Sequence, residues 1–128
     1  MSGERETVHA HGAPAAIGPY SHAVRHGGLL YCSGQIPLDP ESGEIVVVGP
    51  AAQARRCLEN LQAVCDAAGT TLARAVRITI YMVELGGFSE VGEVCSEFFA
   101  ADPPARVTIG VAALPRGAGV EIDAIVAL

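Results

Sequence analysis

The chain has 128 residues, a net charge of −6 and a pI near 5.0, and half of its residues are hydrophobic. We expect one folded domain over residues 1–128 that buries roughly two-thirds of its unfolded surface without a disulfide or metal staple, and no apolar run approaches the roughly 20 residues of a membrane span. The acidic balance argues against non-specific nucleic-acid binding; eight arginines with no lysine exclude a Schiff-base lysine and covalent pyridoxal phosphate; and 5% aromatics with no Trp give no stacking platform.

Residues 1–12 are polar and read as a short edge strand or a frayed arm. No charged-then-apolar leader opens the sequence, so a cytoplasmic location is expected. The histidines His9, His11, His22 and His26 have no Cys or carboxylate cluster to complete a tetrahedral set, and they read as solvated loop and arm residues rather than metal ligands. Cys32, Cys57, Cys65 and Cys95 form no C-x-x-C pair and read as buried thiols. Two prolines and a glycine make Ala13 to Tyr20 a loop. Ala23–His26, Gly27-Gly28 and Leu29–Gln35 predict a β-hairpin, and Pro37–Gly43 a second loop.

Ala54, Leu58, Leu61, Cys65 and Ala68 recur at helical spacing, predicting a helix over Ala51–Ala68 that Gly69 stops. Ala75–Val83 alternates as a strand, with Val76, Ile78, Ile80 and Met82 on one face. A second helix opens after Gly86-Gly87, with Phe88, Val91, Cys95 and Phe98 as its apolar stripe, and Pro103-Pro104 ends it. Arg106–Val111 and Val120–Val126 are the last strands. The order predicts an α+β fold, a mixed sheet of about six strands with two helices on one face.

Period-2 alternation assigns Val107, Ile109 and Val111, with Val120, Ile122, Ala124 and Val126, to the helix-covered face. Arg106, Thr108, Gly110, Glu121 and Asp123 are then expected on the opposite face. That face is half apolar with no helix left to cover it, which predicts burial by other subunits.

Charges seldom enter apolar strands without a partner or ligand, so Arg106 and Glu121 are the candidate site residues, with Asp123 as an alternative acid. Arginine's planar fork matches a carboxylate, and a carboxyl between Val120 and Ile122 is placed for desolvation and acid–base work. A structural salt bridge remains the competing reading of both. Gly34 offers a backbone N–H that a ligand can approach closely. Tyr20 is a candidate pocket wall. Ser21 and Ser33 sit in no G-x-S-x-G setting, and no dinucleotide or Walker motif is present.

Four blocks carry the argument further: Ala15-Ala16-Ile17-Gly18-Pro19-Tyr20-Ser21, Ser33-Gly34-Gln35-Ile36-Pro37-Leu38-Asp39-Pro40, Pro104-Ala105-Arg106 and Val120-Glu121-Ile122. In this order, from about residue 13 to the C-terminus, the chain resembles the Rid (YjgF) family. The resemblance implies a chorismate-mutase-like fold, a homotrimer with a ligand site in each cleft between subunits, and no cofactor or metal. It implies hydrolysis of 2-imino and enamino acids such as 2-iminopropanoate and 2-iminobutanoate to 2-oxo acids and ammonia. By the same resemblance Arg106 holds the substrate carboxylate with the Gly34 N–H, and Glu121 orients the attacking water. Tyr20 and Ser33 line and close the pocket, and Thr108 lies against the ligand. His22, Gly92 and Val107 depart from residues common in the family, where a Gln, an Asn and a small polar residue are frequent, and they bear on side-chain preference. The competing readings are a non-catalytic trimeric binder of 2-oxo acids and a ribonuclease or translation inhibitor.

Overall fold

The computed structural model describes residues 4–46 and 48–128. Residues 1–3 of the expected N-terminal arm lie outside that range. The remainder of the arm supplies an edge strand, β1 (Glu6–Val8), which pairs antiparallel with β2 (Ala23–His26). Gly27 and Gly28 both take positive φ (61° and 83°), as a two-residue hairpin turn of the type that matches strand twist requires, and β3 (Leu29–Gln35) returns along β2.

Pro50 fits the first turn of α1 (Pro50–Ala68), where its missing N–H costs nothing. The helix stops at Gly69, which is left-handed (φ 82°); the Gly69 and Thr70 amides donate back to the Asp66 and Cys65 carbonyls. β4 (Ala75–Met82), α2 (Phe88–Phe98), β5 (Ala105–Gly110) and β6 (Val120–Ala127) follow.

The sheet order is β1-β2-β3-β6-β4-β5. β4 and β5 are parallel, joined by α2. β3 and β4 run the same way but leave a slot between them, bridged by α1, and the last strand fills it antiparallel to both. The result is the expected α+β sheet of six strands with two helices. Val120, Ile122, Ala124 and Val126 of β6 join Ile78, Ile80 and Met82 of β4 and Leu58, Leu61, Val64, Val91 and Val94 of the helices in one buried core. All four cysteines are buried free thiols, as expected. Val76 is the exception on β4: the register slips between Ala75 and Arg77, and Val76 is half exposed.

The face assignment holds for β6 and fails for β5. In the parallel ladder Ile78 stands beside Arg106, Ile80 beside Thr108 and Met82 beside Gly110, so these three positions of β5 share the helix side with the core. Val107 and Ile109 pair with Thr79 and Tyr81 and face the open side, 40% and 45% exposed. β5 is an edge strand whose helix side is only partly covered by α2, so the usual rule that apolar residues point toward the helices does not govern it. Phe88 likewise leaves the expected stripe and is half exposed, while Val94 and Phe99 are buried in its stead.

Two buried amides on α1 fix the loops beside the sheet. Asn60 donates to the carbonyls of Leu38 (3.0 Å) and Ile36 (3.4 Å) and accepts from Arg56 Nε (3.1 Å). Gln53 accepts from the Gly119 amide and donates to the Val46 carbonyl, both at 2.8 Å. Unmet buried carbonyls are costly, so Asn60→Ala should lower unfolding free energy by about 2 kcal/mol in urea titration. A change within error would show that the 36–38 loop is held by something else.

Candidate functional site

The candidate residues divide between two clefts. The first is basic and lies where α2 crosses the start of β5. Arg106 projects to the helix side, its guanidinium carbon 5.4 Å from the centroid of the Phe88 ring. An aromatic face attracts a cation and limits its rotation, so Phe88 presents the guanidinium in one plane. Among the described residues no carboxylate lies within ion-pair distance of Arg106, whereas Arg25, Arg55 and Arg56 pair with Glu6, Glu97 and Glu59. Gly92 of α2 faces Arg106, and Cys95 sits beside it: burial pushes the Cys95 thiol up and the guanidinium pulls it back. A cavity of about 620 Å³ opens here, its other walls being Ile78, Ser96, Phe99, Ala100, Pro103 and Pro104. Thr108 lies two residues along on the face of Arg106, partly buried.

The second cleft is acidic, about 220 Å³, and lies between the 14–22 loop, the end of β3 and Glu121 of β6. It exists because β3 carries one extra residue: Cys32 pairs with Ala124 and Gln35 with Ile122, three positions against two. The bulge re-aims Ser33 and Gly34. Gly34 packs on the Glu121 carboxyl so closely that a Cβ there would overlap Oε2. Glycine is thus required at 34 for the carboxylate to occupy its place. Burial, with a smaller contribution from Asp123, holds the Glu121 carboxyl above the usual carboxylate range. Asp123 itself accepts a hydrogen bond from the Tyr81 hydroxyl (2.9 Å), so one of its oxygens is engaged within the sheet, whereas Glu121 has no hydrogen-bond partner among the described residues. Tyr20 lines the cleft and is 45% exposed. The Ser33 hydroxyl donates to the Ser21 carbonyl (2.6 Å) and the Ser33 amide to the His22 carbonyl (2.9 Å), tying β3 to the loop that carries Tyr20.

The expectation that Arg106, Thr108 and Glu121 share a sheet face is therefore incorrect. Arg106 stands beside Ile78 and Glu121 opposite Tyr81, three residues along β4 and on the other side of the sheet. That offset is about 10 Å along the strand, before the thickness of the sheet is added. One copy of the chain presents a cation in one cleft and an acid in another.

His22 is a second correction. It is 5% exposed rather than a solvated loop residue. Its Nδ1 accepts from the Ala10 amide and its Nε2 faces the Pro14 carbonyl, both at 2.8 Å. The carbonyl requires a donor, so the ring is the Nε2–H tautomer. His22 pins the start of the loop that forms one wall of the acid cleft. Its proximity to Gly18-Pro19-Tyr20 in sequence gave no signal of this, because both its partners are backbone groups. Among the described residues no three His, Cys, Asp or Glu side chains converge, and no helix is long and apolar enough to cross a membrane.

A family model described as Endoribonuclease L-PSP matches residues 10–128. The chain belongs to this family, which also carries the names YjgF, Rid and RutC. It is 50% identical over 123 residues to protein DfrA of Myxococcus xanthus, covering 94% of each chain. It is 42% identical over 121 residues to the 2-iminobutanoate/2-iminopropanoate deaminase of Mus musculus, covering 94% of this chain and 90% of the mouse protein. A solved Rid-family structure from Yersinia pestis superposes with a TM-score of 0.94 at 40% identity, covering 98% of this chain and all of that one.

Two measurements follow from the acid cleft. A glutamine at 22 can reproduce both histidine bonds, its Oε1 accepting and its Nε2 donating, whereas alanine leaves two buried backbone groups unpaired. His22→Gln should therefore stay within about 1 kcal/mol of the native chain in urea unfolding, and His22→Ala should lose about 2 kcal/mol. Equal losses would remove the hydrogen bonds from the account. The raised Glu121 acid has a stability consequence too. The folded state favours its neutral form, so that contribution is present at low pH and lost as pH rises through the folded value. Glu121→Gln, always neutral, should raise Tm at about pH 7, with the gain vanishing near pH 4. A gain independent of pH would point to packing instead of desolvation.

Proposed function

We propose that this chain hydrolyses reactive 2-imino and enamino acids to 2-oxo acids and ammonia. In this reading it acts as a homotrimer in which the basic cleft of one subunit faces the acid cleft of the next. The observation that carries the proposal is the separation of Arg106 from Glu121: each is open to its own cleft, neither is spent on an ion pair among the described residues, and a second copy is needed to bring them to one ligand. The half-exposed open face, with Tyr31, Val107 and Ile109, supplies apolar surface for such an assembly. The mouse relative's name supports the reaction.

The chemistry needs little from the protein. The imine carbon is already electrophilic, so no covalent nucleophile is required. Arg106 holds the substrate carboxylate through a charge-assisted fork, its plane set by Phe88, and Thr108 lies alongside. The Gly34 amide and Tyr20 close the ligand from the acid side. Glu121, as carboxylate, takes a proton from the attacking water as its oxygen bonds to the imine carbon. The proton then passes to nitrogen, the C–N electron pair leaves with ammonia, and the hydroxyl gives its remaining proton to Glu121 as the 2-oxo carbonyl forms. Positioning of this kind supplies several kcal/mol, and acid–base help adds about 10²–10⁴-fold. Ser33 acts by holding the cleft wall, since its hydroxyl donates to Ser21. No metal or cofactor is invoked.

A ribonuclease reading draws on the family's description, but the chain carries a net charge of −6 and three of its eight arginines are paired with glutamates.

The test is 2-oxobutanoate release in the presence of a threonine dehydratase, whose product decays through 2-iminobutanoate. The native chain should accelerate it. Arg106→Ala should lose about 30–150-fold in kcat/KM, the equivalent of 2–3 kcal/mol. Inactive Arg106→Ala and Glu121→Gln chains, unfolded together and reassembled, should regain activity in about a quarter of the clefts, those that draw Arg106 and Glu121 from different native positions. No recovery on mixing would eliminate a shared site, and an imine lifetime unchanged by the native chain would eliminate the deaminase reading.

A further inference from the structure

Gly92 is the fifth residue of α2, in the interior of a helix where glycine costs stability relative to alanine. Its backbone does not require glycine, since it is absent from the positive-φ positions. Neither does tight packing: a Cβ at 92 would meet nothing nearer than Arg106 Nη1, at an ordinary 3.8 Å. What the glycine provides is room. A longer side chain at 92 would extend over the guanidinium and into the cavity it borders.

Most of the residues lining that cleft are apolar. It measures about 620 Å³ in one subunit and is half open, on the side where the proposed trimer places its neighbour, and its inner wall extends past the methyl or ethyl group of a three- or four-carbon imino acid. Behind Arg106 its walls are Ile78, Cys95, Phe99, Pro103 and Pro104, and among the described residues Arg106 is the only charged one lining it. A carboxylate on the guanidinium leaves the adjoining side chain to lie along this apolar wall.

We infer that Gly92 is a specificity-determining position and that the preferred substrates are 2-imino acids with large apolar side chains, of leucine to phenylalanine size. The inference rests on the deaminase reading and specifies its substrate class. Each methylene buried in such a pocket strengthens transition-state binding about fourfold, so the three additional carbons of a leucine side chain over alanine give a preference of at least tenfold. Leucine and phenylalanine carry no β leaving group. Their imines therefore arise by two-electron oxidation of the amino acid, with the hydride passing to the flavin of an oxidase, rather than by β-elimination.

The experiment uses the full chain with imines made in situ from D-alanine, D-leucine and D-phenylalanine by a D-amino-acid oxidase. The α-carbon becomes planar in the imine, so the starting enantiomer does not matter. The imine remaining is read by semicarbazide trapping. The leucine- and phenylalanine-derived imines should be hydrolysed with kcat/KM at least tenfold above the alanine-derived imine. Gly92→Leu should lower that ratio at least fivefold, chiefly through KM for the large imines. Leucine is a better helix former than glycine, and a melting curve checks the fold. Ser96→Leu, on the solvent side of the same cavity, is the second variant and should lower the ratio in the same direction. Equal rates on all three imines, or a ratio that neither variant moves, would overturn the inference and leave the deaminase reading standing. Failure on all three imines would overturn both.

Discussion

The structure depends on the last strand entering the middle of the sheet. β3 and β4 run parallel with a vacant slot between them, and β6 closes it by pairing antiparallel with both. Its alternation is strict: Val120, Ile122, Ala124 and Val126 are buried under the helices, while Glu121 and Asp123 face away. A strand bonded on both sides is fixed in register, and a slip of one residue would bury the two acids. The position of Glu121 is thus set by four apolar neighbours that have no chemical role.

From that placement the acid cleft follows. The bulge in β3 brings Gly34 over Glu121, and the missing Cβ leaves room for the carboxyl where it lies. His22 and Ser33 fasten the loop that forms the far wall, each through backbone partners. The local sequence therefore supports a half-desolvated acid at some cost to stability, the usual relation between a functional group and the fold that carries it. On the other side of the sheet the cost is of a different kind. A helix-interior glycine, and a guanidinium with no ion-pair partner among the described residues, leave a cavity open that a longer side chain at 92 would enter.

The two charges sit at opposite ends of a geometric problem. An edge strand is covered on its helix side only as far as the crossing helix reaches, so β5 can point Arg106 and Thr108 under α2 while leaving Val107 and Ile109 bare. The departure at Val107 accordingly lies on the open face, away from the basic cleft. The departure at Gly92 lies directly on that cleft. In the trimer proposed, each chain brings two half-sites, and the half-exposed open face beside them supplies the contact between chains.

Much of this was legible in the sequence. Helical spacing located α1 within one residue, the Gly-Gly pair marked the hairpin, and the alternation of β6 assigned its faces correctly, because in each case the controlling interactions are between near neighbours. The blocks around Tyr20, Gly34, Arg106 and Glu121 pointed to the family. Three features were decided only by tertiary structure. Period-2 alternation in Arg106–Gly110 gives two faces but does not say which is covered, and the parallel register with β4 made the choice. His22 reads as a loop residue until distant backbone atoms at Ala10 and Pro14 enclose it. Gly92 reads as a departure from a residue common in the family, and the crossing of α2 over β5 decided that it faces Arg106. The sequence by itself determined which residues alternate, cap and turn, since those are short-range preferences of the chain. Which faces meet, and hence which charges share a cleft, was decided by the insertion of β6 and the edge position of β5, contacts between segments remote in sequence.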